Sequence, residues 1–280
     1  MQGNTKKKLA YGLILSDFDG TLVSSDGTVC QQNKDSIEKY CQSGGKFVIS
    51  TGRMHYGIMP RVKELGLKGL VSCAHGAFII DAGTGEVLFS HTIPAETVAC
   101  ICEKMEELDL NFNVYTKDVY YANRVSERLQ RYENALKVKA VMIEDKPLSQ
   151  FVCENGICAY NVLAFVDPVD NERIMAKLSE HVFEGCIITK SSDSLVEAVS
   201  ASCSKGTALE FLAKHYSIPR EEVIAVGDQW NDISMIEAAG LGIAVKNAND
   251  RLKEKAVTLE YTNNEGAVSH IIERYAYSEK

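Results

Sequence analysis

The stretch YGLILSDFDGTLVSSDG (residues 11–27) decides the fold. Its first part, YGLIL (11–15), is a short branched-apolar run that stops abruptly at Ser16, Asp17 and Asp19. Such a run reads as a strand buried on both faces, and strands of that kind belong to parallel sheets covered by helices. The same texture recurs at KFVIS (46–50), GLVSC (69–73), VIAVG (223–227) and LGIAV (241–245). Helical patterns fall between and around these runs, at residues 31–43, 55–66, 204–216, 232–240 and 249–256. Alternation of this sort predicts an α/β fold with a doubly wound, Rossmann-like parallel sheet.

The middle of the chain breaks that rhythm. Val98, Ile101, Cys102, Met105 and Leu108 make the stripe of an amphipathic helix. NFNVYT (111–116) and VYYAN (119–123) flank Lys117-Asp118, which predicts a hairpin. Helical residues 125–137, a strand within 157–167, a helix over 171–182 and paired strands GCIITK (185–190) and SLVEAV (194–199) follow. Hairpins mixed with helices predict an α+β module inserted into the α/β domain. The expected division is a core from residues 1–90 and 191–280, with a cap domain over 91–190.

Composition narrows the function. The 280 residues are 45% hydrophobic and carry a net charge of −8, so no basic excess exists to hold nucleic acid or an anionic membrane. No apolar run approaches the roughly 20 residues of a membrane span. Lys6-Lys7-Lys8 before Leu9–Leu15 imitates a signal peptide, but the run ends in acidic Asp17 without a small-residue cleavage site and reads as the first strand. Nine scattered cysteines, with no CxxC, read as small reduced residues of a cytoplasmic protein. A monomer or weak homodimer acting on a small molecule is expected.

The placement of the carboxylates carries the chemistry. Asp17 and Asp19 follow the first apolar run; Asp228 follows VIAVG directly, with Asp232 four residues on. A parallel sheet binds ligands outside the carboxyl ends of its strands, so two such strands would bring several negative charges together there. These charges repel one another unless a cation compensates them, and oxygen-only ligands suit Mg²⁺. Either pair alone reads equally well as turn or helix-cap residues; both together do not.

DFDGTLVSSDG (17–27), ISTGR (49–53), SKGTAL (204–209) and GDQWNDISMI (227–236), in this order, resemble the four motifs of the haloacid dehalogenase superfamily. The long insertion between the second and third motifs is similar to the Cof-type hydrolases, which carry a class IIB cap. The resemblance implies a Mg²⁺-dependent phosphomonoester hydrolase acting on a small phosphorylated metabolite. Sugar phosphates lead, and pyridoxal phosphate or FMN follow. It implies that Asp17 is the nucleophile forming an aspartyl-phosphate and that Asp19 is the general acid and base. Metal contacts would come from Asp17, the Asp19 carbonyl, Asp228, and Asp232 directly or through water. Lys205, Thr51, Gly52 and Asn231 would face the phosphate. Asn247 would bind either phosphate or the Asp228 loop, or simply form a turn.

Some features sit outside the pattern. The family usually has Asn-Gly-Ala where this chain has His75-Gly76-Ala77, and His75 reads either as facing the substrate with different chemistry or, the favoured reading, as a loop histidine. Arg53 reads as lying beside the site or facing the cap, and Trp230 as packing. Tyr115, Tyr120 and Tyr121, with Asn113 and Asn123, would suit a sugar or aromatic ring, although tyrosines are ordinary in strands. Two other functions compete. A phosphomutase of the same superfamily would need a second phosphate clamp, for which Arg124, Arg128 and Arg131 are the candidates. A non-catalytic phosphate-binding protein would gain little from keeping both Asp17 and Asp19.

Overall fold

The computed structural model describes residues 8–278, so Lys6 and Lys7 of the basic lead-in lie outside it. The chain opens with β1 (Leu13–Ser16), α1 (Gln31–Gln42), β2 (Lys46–Ile49), α2 (His55–Glu64) and β3 (Leu70–Cys73). β4 (Phe78–Asp81) and β5 (Val87–Ser90) complete this portion. The inserted module holds α3 (Ala95–Glu107), β6 (Asn111–Tyr115), β7 (Tyr120–Ala122), α4 (Glu127–Leu136) and β8 (Val141–Met142). It continues through α5 (Leu148–Asn155), β9 (Asn161–Phe165), α6 (Asn171–Ser179), β10 (Cys186–Ser192) and β11 (Leu195–Ser200). The chain returns as α7 (Lys205–His215), β12 (Val223–Gly227), α8 (Ile233–Ala238), β13 (Leu241–Ala244), α9 (Asp250–Lys253), β14 (Val257–Thr258) and α10 (Ala267–Tyr275).

The core sheet is parallel, in the order β14-β13-β12-β1-β2. β1 lies between β12 and β2, and its four residues are all buried, as the LILS sequence requires. From β1 the chain winds one way to β2, and from β12 the other way to β13 and β14. Right-handed crossovers therefore place α1 and α8 on opposite faces. The order reverses between β1 and β12, and that switch point is where such sheets bind ligands.

The third apolar run departs from the expected pattern. β3 touches β2 through a single Ser50–Ser72 bridge and then opens an antiparallel sheet, β3-β4-β5. The cap is a six-stranded sheet, β10-β11-β9-β6-β7-β8, with its own apolar cluster around Val98, Phe112, Val162 and Val196. The Lys117-Asp118 hairpin forms, with Tyr115 opposite Tyr120.

The expected cap limit at residue 190 falls inside β10, and the cap sheet runs on to Ser200. Within the polar segment KSSDS (190–194), Lys190–Ser192 end β10 and Asp193-Ser194 turn the chain into β11, so this segment is not the exit from the cap. The cap's other face joins the core. Tyr115, Tyr120, Tyr160 and Leu163 pack into the same cluster as Phe78 and Leu13.

Candidate active site

The reversal of strand order sets Asp17 beside Asp228. Asp17 N–H donates to the Val226 carbonyl at 2.9 Å, extending the β1–β12 ladder one residue past the strand end. The chain then turns at Gly20, whose φ of +85° suits glycine. A Cβ there would also lie 2.5 Å from Asp228 Oδ2. Next, Thr21 Oγ1 donates to Asp228 Oδ1 at 2.7 Å. On the other side, Asp232 Oδ2 accepts from the backbone N–H groups of Asp228 (2.9 Å) and Gln229 (2.8 Å). GDQWND thus curls so that its two carboxylates face Asp17.

Asp17, Asp228 and Asp232 each offer an oxygen, and the three lie within 4.8 Å of one another. All three residues are buried. Lys205, the first residue of α7, reaches into the group. Its Nζ donates to Asp17 Oδ1 and to Asp232 Oδ1, each at 2.5 Å.

Electrostatics follow from that crowding. Burial pushes the Asp17 carboxyl well up; Lys205 opposes this, and the Asp232 and Asp228 charges add to it. Burial, then Asp232, raise Asp228 to about 6. Burial works to lower Lys205, but Asp17 and Asp232 outweigh it and raise its pKa. One ammonium thus serves three carboxylates. Among the described residues, the neutral Thr21 and Gln229 side chains donate to the Asp228 carboxylate, at 2.7 and 3.2 Å. An all-oxygen, electron-rich set with uncompensated charge fits a hard divalent cation.

A cleft of about 250 Å³ opens over Asp17 between core and cap. Asp19, Thr51, Gly52 and Asn231 line it from the core. Thr51 Oγ1 also accepts from Arg53 N–H at 3.1 Å, a local turn bond; the N-cap of α2 is Met54. The Asp19 carboxylate stands outside the three-carboxylate cluster. Arg53 grips it with two hydrogen bonds, from Nε at 2.7 Å and Nη2 at 2.5 Å. Asn247 is exposed and does not line the cleft; its Nδ2 donates to the Gly20 carbonyl at 2.8 Å. It therefore braces the turn after Asp17. The residue bracing Asp228 is Asn249, whose N–H and Nδ2 both donate to the Asp228 carbonyl at 2.9 Å.

From the cap, the cleft is lined by Tyr132, Leu163, Ser191, Ser192, Leu195 and Glu197. The hairpin tyrosines do not reach it. Tyr115 and Tyr120 stack at 5.0 Å inside the shared apolar cluster, and Tyr121 packs on Phe151. Strand alternation explains this, since β7 points Tyr120 and Tyr121 to opposite faces. Arg124 and Arg128 pair with Asp109 and Asp167, and neither they nor Arg131 line the cleft.

His75 is no bland loop residue. It is buried, its Nε2–H donates to Glu197 at 2.8 Å, and its Nδ1 accepts from Asn231 Nδ2 at 3.3 Å. The only sequence signal for it was the histidine in place of Asn, and Glu197 gave none.

Fold and site together define a capped phosphatase of the haloacid dehalogenase superfamily. The family model described as "haloacid dehalogenase-like hydrolase" matches residues 14–272, and the chain belongs to that family, among its Cof-type phosphatases. It is 32% identical to phosphatase YwpJ of Bacillus subtilis, over 93% of this chain and 98% of that one. It is 28% identical to the 5-amino-6-(5-phospho-D-ribitylamino)uracil phosphatase YwtE of the same organism, over 93% and 96%. A solved haloacid dehalogenase-like hydrolase from B. subtilis superposes with a TM-score of 0.84 at 30% identity, covering 94% of this chain and 99% of that one.

Proposed function

We propose that this phosphatase is a Mg²⁺-dependent phosphomonoester hydrolase that works through an aspartyl-phosphate on Asp17. The observation that carries the reading is Asp17, Asp228, Asp232 and Lys205 gathered at the switch point of the sheet. Asp17, Asp228 and Asp232 would hold the cation, with the Asp19 carbonyl beside them. When bound, Mg²⁺ offsets the repulsion between these carboxylates and the phosphate.

The chain's own groups do the rest. Asp17 attacks phosphorus, the P–O bond to the leaving group breaks, and Asp19 gives that oxygen a proton. Asp19 then takes a proton from the water that attacks the acyl phosphate, releasing phosphate and restoring Asp17. Lys205 keeps the Asp17 carboxylate oriented and offsets its charge; Thr51 and the backbone at Gly52 face the phosphate oxygens. The cap closes the cleft and limits water during transfer.

The substrate class in our reading is a small metabolite whose leaving group bears hydroxyls, sugar phosphates first and pyridoxal phosphate or FMN after them. The Ser191, Ser192, Tyr132 and Glu197 side chains that line the cleft support it, as does the ribityl phosphate in the name of one relative. The placement of Arg124, Arg128 and Arg131 away from the cleft favours hydrolysis over a mutase. Nine free cysteines and a net charge of −8 support a cytoplasmic enzyme with a small-molecule partner. Phosphate release from a panel of phosphorylated metabolites, with Mg²⁺ and with chelator, tests the reading. Release that ignores the chelator would overturn it.

A further inference from the structure

The cap places a buried carboxylate of its own in the cleft. Glu197, on β11, is 1% exposed, yet it lines the same cavity as Asp17. Its Oε2 accepts from His75 Nε2 at 2.8 Å and from Asn161 Nδ2 at 2.7 Å. Its Oε1 accepts from the Ser191 hydroxyl. A carboxylate offers about four acceptor sites, so these three bonds leave room for a hydroxyl on Oε1.

The core strains its backbone to supply His75. Ala74 and His75 have φ of +47° and +55°, the left-handed region that residues other than glycine adopt only at a cost. A Cβ on Gly52 would lie 2.7 Å from the His75 ring, so the neighbouring motif also makes space for it. Strain of this kind at a cleft points to a task for the side chain. Burial alone would raise the Glu197 carboxyl. His75 and the hydrogen bonds from His75, Ser191 and Asn161 outweigh burial and hold its pKa below the usual glutamate value.

The charges around the cleft complete the argument. Asp17, Asp19 and Glu197 all line it, and the guanidinium of Arg53, which also lines it, is already engaged by Asp19. An anion entering with the leaving group meets these carboxylates, and among the described residues lining the cleft the one cationic side chain, Arg53, is already paired.

We propose that His75 is a positioning residue that holds Glu197 as a charge filter on the leaving group. The cleft accepts phosphomonoesters whose remainder is neutral and hydroxyl-bearing, and it rejects those carrying a second anionic group. Rejection by a fixed like charge is a common route to specificity. The inference rests on the phosphatase reading above.

The test compares kcat/KM for glucitol 6-phosphate and 6-phosphogluconate, two open-chain esters that differ by a carboxylate in place of a hydroxymethyl group. Turnover of p-nitrophenyl phosphate with Mg²⁺ reports on the chemistry itself. Where a sugar ester is not turned over, its inhibition constant against p-nitrophenyl phosphate gives the same comparison. The wild-type protein should favour the neutral ester by about tenfold or more, the scale of one like-charge contact. Glu197→Gln and His75→Ala should bring the ratio toward one, mainly through KM. His75→Gln, which keeps a donor, should retain more of the preference than His75→Ala. A merely structural role would lower both esters equally. No wild-type preference, or a ratio that the folded variants leave unchanged, overturns the filter. Failure of the wild-type protein on p-nitrophenyl phosphate would instead overturn the phosphatase reading.

Discussion

Lys205 and Asp17 stand 188 residues apart in sequence, yet the lysine Nζ lies 2.5 Å from Asp17 Oδ1. The chain leaves the core at β5, builds the whole cap, and re-enters at α7 with its first residue aimed at Asp17. The same ammonium contacts Asp232 at 2.5 Å, so one cation ties together β1, α7 and the loop after β12.

Removing that cation should cost stability as well as activity. Lys205→Met leaves Asp17 and Asp232 buried without their partner, and loss of one member of a buried pair costs about 3–5 kcal/mol. Adding Asp232→Asn should recover part of the loss. Denaturant unfolding of the single and double variants measures both, and a loss below about 1 kcal/mol in Lys205→Met would contradict the arrangement.

Much of this site was legible in the sequence because strand ends are local signals. The runs at 11–15 and 223–227 stop at carboxylates, and β1 and β12 pair as neighbours with those carboxylates side by side. What was not legible depends on distant partners. His75 gained meaning only from Glu197, 122 residues on. Asn247 reads equally as a phosphate ligand, a brace of the Asp228 loop or a turn residue, and only the fold shows its amide on the Gly20 carbonyl. The cap limit was misplaced because a polar hairpin turn and a domain exit share the same composition. The tyrosines of β6 and β7 carry no mark of which sheet face meets the core.

A divalent cation should stabilise the folded protein through the three carboxylates. Added Mg²⁺ is expected to raise Tm, and Asp228→Asn should abolish most of that rise, because binding to the folded state alone shifts stability by mass action. Thermal unfolding with Mg²⁺ and with chelator checks it. An equal rise in the variant would place the cation elsewhere.

Glu197 sets an acid limb. Its folded pKa is depressed, so its stabilising contribution is present above the unfolded value of about 4.3 and fades as pH falls through the lower folded value. The stability gap between wild type and Glu197→Gln should therefore hold steady at neutral pH and narrow in acid. Urea unfolding across that range reads the gap; one that widens in acid would contradict the assignment.

Gly52 should tolerate no side chain while His75 is present. The Cβ of Gly52→Ala would sit 2.7 Å from His75 Cε1 and 2.8 Å from Nε2, and overpacking of this kind costs about 1–3 kcal/mol. In a His75→Ala background the same change should cost clearly less. A double-mutant cycle in thermal or urea unfolding reports the coupling. Additive effects would mean that the two residues do not compete for the same space.

The central claim is that Asp17 carries the phosphoryl group. Rapid acid quench of the enzyme during turnover of p-nitrophenyl phosphate with Mg²⁺, followed by peptide mass mapping, tests it most directly. The account predicts one phosphoryl group on the peptide containing Asp17, absent with chelator and absent in Asp17→Asn. Turnover at a normal rate in Asp17→Asn, or a phosphoryl group trapped on any other residue, would contradict it.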